Sequence, residues 1–84
     1  MTREELLVLL IEECSEVIHA ATKCLRFGYD IDHKTGYGNN RLVLSGEIGD
    51  LMGIINSLDI DTTIVDQRSE DKITKCEYMK STYT

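Results

Sequence analysis

Proline and tryptophan are absent from this 84-residue chain, and phenylalanine occurs once. No segment alternates apolar and polar residues as a half-buried strand would. Without proline nothing forces a break inside a helix, and without β-branched alternating runs a sheet has little to be built from. Helix is the expected class. Cations are the scarcer charge, with nine Lys and Arg against fifteen Asp and Glu and a net charge of -6. Nonspecific binding to a nucleic-acid backbone calls for the opposite sign. An acidic chain suits the gathering of divalent cations instead.

Two further absences narrow the setting. The three cysteines, Cys14, Cys24 and Cys76, include no C-x-x-C pair. An odd number without that spacing argues against a disulfide framework or a zinc knuckle, and for reduced thiols in a cytoplasmic protein. They read as small buried residues. The apolar run Leu6–Ile11 ends at Glu12 and Glu13, well short of the roughly 20 residues a membrane span needs. Glu4 and Glu5 near the start replace the basic stretch of a signal peptide. No membrane partner and no nucleic-acid partner are expected. A chain this short forms one domain, residues 1–84, and tends to need a metal or a second subunit to complete it.

Three helices are legible. Thr2 and Glu5 form a capping box, and nothing breaks the helix that follows until Gly28, a natural terminator with Lys23 and Arg26 favourably placed in the last turns. Residues 28–40 read as a plain connection, with a substrate-facing lid as the alternative. A calcium loop is excluded there, because Thr35 falls where glycine is required and Arg41 where the bidentate glutamate belongs. The glycines also lack phosphate-loop order. A second helix starts with Asn39 or Asn40 as cap and runs to about Leu58. After the acidic linker 59–61, a third spans about Thr62 to Lys80, and residues 81–84 fray.

The informative feature is Glu12-Glu13-Cys14-Ser15-Glu16 on the first helix, answered by Glu47-Ile48-Gly49-Asp50 on the second. At about 100° per residue, Leu6, Leu9, Glu13, Glu16, Ala20 and Phe27 share one arc. Val43, Glu47, Asp50, Leu51, Ile54 and Leu58 share another on the second helix. Both acid pairs thus fall on core-facing stripes, the wrong place for a solvated acid. Four carboxylates at one seam repel and resist losing water, so a compensating cation is expected. Carboxylate-only ligation favours Mg²⁺, with Mn²⁺ as a substitute or Ca²⁺, over zinc. Mg²⁺ keeps positions open for water and phosphate oxygens. Glu12 lies off the stripe, on the polar flank with His19. Gly46, Gly49 and Gly53 each cost about 1 kcal/mol relative to alanine in a helix. They mark a seam where another backbone comes close, within the chain or across a subunit boundary, or else a flexible or imperfect helix.

These motifs, E-E-x-x-E then E-x-x-D on successive helices, resemble the all-alpha MazG-like nucleotide pyrophosphohydrolases. The resemblance extends through Ala20–Gly28 and the N-R-L that follows the loop. It implies an antiparallel bundle of about three helices per chain, completed by oligomerisation as a homodimer or a dimer of dimers. It implies hydrolysis of a nucleoside triphosphate substrate to the monophosphate and pyrophosphate. Carried over, Glu13, Glu16, Glu47 and Asp50 are the Mg²⁺ ligands, and Glu12 supports them or acts as a base. Lys23, Arg68, Lys72 and Lys75 are candidate phosphate contacts, against the plainer reading of amphipathic surface. His19 and His33 read as surface residues. A nucleotide-sequestering protein and a purely structural helical dimer are the competing readings.

Overall fold

The computed structural model describes residues 1–30 and 39–83, with side chains as far as Lys80. Among these residues there are three helices and no strand: α1 (Arg3–Phe27), α2 (Asn40–Ser57) and α3 (Thr62–Tyr83). No helix is long and apolar enough to cross a membrane. The expected connection lies mostly outside the described residues, as does His33.

Each helix starts where a side chain can satisfy its free amides. Thr2 Oγ1 accepts from the Glu5 amide at 3.1 Å and donates to the Glu5 carboxylate at 3.2 Å. Asn39 Oδ1 accepts from the Leu42 amide at 2.9 Å, and Asp61 Oδ1 from the Ile64 amide at 3.1 Å. Gly28 ends α1 at φ 107°, a conformation that favours glycine, and its amide donates to the Cys24 carbonyl. Helix α3 continues to Tyr83, past the expected end at Lys80.

Helices α1 and α2 form an antiparallel hairpin whose seam has a heptad spacing. On α1 the buried or half-buried set includes Leu6, Leu10, Glu13, Val17, Ala20 and Cys24; on α2 it includes Asn40, Leu44, Glu47, Leu51, Ile54 and Leu58. Both series step 4-3-4-3-4, the repeat of side chains meeting across a left-handed helix pair. The closed end is tied by polar contacts. Asn40, 4% exposed, donates from Nδ2 to the Gly28 carbonyl at 2.7 Å. The Arg41 amide donates to the Tyr29 carbonyl at 2.9 Å, and Arg41 Nε pairs with Asp30 at 3.2 Å.

The expected three-helix bundle does not form within one chain. No Cα of α3 comes within 8 Å of one in α1 or α2. Every described α3 side chain is exposed, and the molecule measures 38 × 36 × 15 Å, the depth of little more than one helix layer. Two other expectations need correction. Phe27, at 57% exposure, lies off the seam under the Arg26 guanidinium, 5.0 Å from its ring centre. Cys14 and Cys76 are exposed thiols, because one projects beside the seam and the other lies on α3; Cys24 is half-buried. An added Cβ at Gly46, Gly49 or Gly53 meets nothing within 4 Å, since all three lie off the seam. Among the described residues of the chain no backbone approaches them.

Candidate metal centre

The seam that should be apolar throughout carries an acid in the middle of each helix. Glu13 occupies the heptad position between Leu10 and Val17, and Glu47 the one between Leu44 and Leu51. Asp50 follows Glu47 by one turn and flanks the seam. Because the helices run antiparallel, the centres of both face each other, and one carboxylate oxygen each from Glu13, Glu47 and Asp50 lie within 4.8 Å of one another. Glu13 and Glu47 are half-buried and Asp50 is exposed.

Three of the four expected ligands therefore converge. Glu16 does not join them: it is exposed, one turn beyond Glu13 and rotated toward the open flank. Its charge is still felt. Partial burial first, then the charges of Asp50, Glu47, Glu16 and Glu12 in that order, raise the Glu13 carboxyl above the ordinary glutamate range. Burial and like charge both disfavour the ionised form. Glu12 is exposed on the polar flank as its angle requires, and its carbonyl accepts from Ser15 Oγ at 2.7 Å.

Among the described residues no cation pairs with these five acids. Arg3 pairs with Glu4 and Arg41 with Asp30, both remote from the cluster in sequence and by helix position. Lys23 is half-buried on the same flank as Glu16, seven residues on, which is about 10 Å along the axis. Arg68, Lys72 and Lys75 line a shallow hollow with Asp71 on α3. Since α3 does not pack against the hairpin, its own chain does not bring these cations to the acids. His19 is exposed, as expected.

The donor set suits a hard divalent cation. Its members are all oxygen, anionic, preplaced on two rigid helices, and open to solvent on the Asp50 side, so waters or phosphate oxygens have room to complete a shell. In comparisons with family models, curated proteins and solved structures, nothing matches this chain.

Proposed function

We propose that the protein is a Mg²⁺-dependent nucleoside triphosphate pyrophosphohydrolase of MazG-like type, with Mn²⁺ as a substitute metal and a homodimer or dimer of dimers as its working form. One observation carries this reading. Three carboxylates from two helices converge at a seam built for apolar residues, with no countercharge among the described residues. Leaving them there without a cation costs desolvation and mutual repulsion. A site held against that cost fits ligation better than solubility.

In this reading Glu13, Glu47 and Asp50 would hold the ion, and Glu16 would add its charge from the flank. When bound, the ion neutralises phosphate oxygens and lowers the pKa of an attacking water. Glu12, exposed beside the cluster, would accept a proton there or orient its donor. Lys23 meets a phosphate on the same flank. Products are the nucleoside monophosphate and pyrophosphate.

The test is a panel of nucleoside triphosphates incubated with the protein and millimolar Mg²⁺. Monophosphate and pyrophosphate appearing in equal amounts, and not in chelator, are expected. Diphosphate and orthophosphate would replace the reaction class. Tight nucleotide binding without any product would leave a sequestering protein.

A further inference from the structure

Helix α3 carries the sign of charge that the candidate centre lacks. At about 100° per residue, Val65, Arg68, Lys72, Lys75 and Met79 share one arc, with cations in the middle and apolar residues at the ends. Arg68 and Lys72 are like charges one turn apart, which a helix by itself disfavours. Among the described residues no acid pairs with Arg68, Lys72 or Lys75. Asp71, in the same hollow, instead accepts from Gln67 Nε2 at 3.2 Å.

The connection between α2 and α3 brings these cations level with the acids. Only residues 58–61 lie between the two helices, a length that commonly joins antiparallel neighbours. Measured from Thr62, Lys72 lies about 15 Å along its axis; measured from Leu58, Asp50 and Glu47 lie about 12 and 16 Å along theirs. With α3 folded back on α2, Lys72 therefore stands between the levels of Asp50 and Glu47. By the same count Met79 reaches the level of Leu42, both exposed. The side of α2 next to Asp50 is low and open. It presents Gly46, Gly53 and Ser57, all exposed, and an added Cβ at either glycine meets nothing within 4 Å. The exposed Glu16 of α1 borders the same flank.

We propose that α3 is a strap that closes antiparallel onto this flank of its own hairpin, where Lys72 and Lys75 meet Asp50 and Glu16, and that a divalent ion at the centre displaces it. The open arrangement of the structure is the one that admits an ion. The closed one covers the Asp50 side and neutralises the acids with the chain's own cations. Strap and ion compete for the same carboxylates, so each lowers the apparent affinity of the other. The strap stands on charge and register alone, whereas its exchange with an ion rests on the metal centre of the function proposed above.

The test uses the full chain, stripped of metal and then freed of chelator. Isotope-labelled and unlabelled protein are mixed, equilibrated and treated with a zero-length carbodiimide, which joins only amines and carboxylates already in contact. Peptides linking Lys72 or Lys75 to Asp50 or Glu16, both halves of one isotope, are the expected product, and saturating Mg²⁺ should suppress them. Links of mixed isotope would mean that α3 docks on a second copy, and would overturn the strap. So would the absence of links. In calorimetry, the Lys72→Gln/Lys75→Gln variant should bind Mg²⁺ about tenfold more tightly than the parent, the gain expected on releasing a strap closed roughly nine-tenths of the time. Unchanged or weaker binding in that variant would overturn the competition. If neither protein bound the ion while links of one isotope formed, the strap would stand and the metal centre would fall, which separates the two failures.

Discussion

The two helices of the hairpin have 25 and 18 residues and α3 has 22, yet they take their helical state from different sources. In α1 and α2 the apolar residues step 4-3-4 along one seam, so each helix covers the stripe of the other. In α3 the apolar residues Ile64, Val65, Ile73 and Met79 are scattered around the axis and exposed. The hairpin specifies its own packing, and α3 presents a surface that its own hairpin does not cover. The contrast extends to charge. The hairpin holds acids where a core should be, whereas α3 holds cations on a face with an apolar residue at each end.

Turnover would break this comparison most visibly. If the hairpin carries the chemistry, Glu13→Gln, Glu47→Gln and Asp50→Asn should each lower pyrophosphate release by orders of magnitude, since a metal contributes several kcal/mol of transition-state stabilisation. Glu16→Gln should cost less, because its carboxylate stands outside the converging three. Glu12→Gln should slow the reaction yet leave Mg²⁺ affinity by calorimetry nearly unchanged. Lost binding in Glu12→Gln with intact binding in Glu47→Gln would place the ion elsewhere.

Metal removal comes next in size. An ion that binds only the folded state stabilises by about 2.7 kcal/mol at a hundredfold excess over its Kd. For a domain this small each kcal/mol moves Tm by roughly 4–8 °C. Melting in millimolar Mg²⁺ should therefore exceed melting in chelator by about 10 °C or more. Coincident curves would remove the centre and leave the hairpin as structure alone.

Packing variants sharpen the comparison on a smaller scale. Leu51→Ala opens the seam and should cost about 1–3 kcal/mol in chemical denaturation. Asn40→Ala leaves the Gly28 carbonyl without its buried donor, for about 1–2 kcal/mol. Ile73→Ala, on an exposed α3 position, should cost under about 0.5 kcal/mol in a monomer. A larger loss that grows with protein concentration would show that this position is covered in the assembly.

Helix positions were legible because their signals are local. Thr2 with Glu5, Gly28 and Asn39 each act through hydrogen bonds within a few residues, and each stands at the boundary its chemistry suggested. The acid pairs were legible as to face, because three-residue spacing fixes direction on a helix. Convergence was less so. Glu16 and Phe27 share the projected arc with Glu13, but a seam of two helices is narrower than that arc, and both fall on its open margin. The exposure of Cys14 follows from the same narrowness. The separation of α3 left no mark in its capping or length, which are those of any helix. The signal was present as a poor apolar stripe, which the expectation of a bundle overrode.

The smallest expected effect is the pH dependence of the metal-free hairpin, and its sign is distinctive. Glu13 is raised above the ordinary glutamate value, by partial burial and then by its acidic neighbours. In the window from about pH 4.3, the ordinary value, to its folded pKa, the folded chain holds a proton on Glu13 that the unfolded chain has released. Stability then falls as pH rises, since the slope follows the protons bound unfolded minus those bound folded. The contribution is fully present below the ordinary value and gone above the folded one. Carboxylates that pair with cations in the fold behave in the opposite sense, so the two classes separate in one titration. Glu13→Gln should remove the downward component and raise metal-free stability at neutral pH, because one member of a repelling set becomes neutral. Denaturant melts of the two proteins in chelator across pH 4 to 7 would read this directly. If Glu13→Gln were less stable than the parent at pH 7 without metal, the carboxylate would be satisfied by something other than a cation, and the seam would no longer call for an ion.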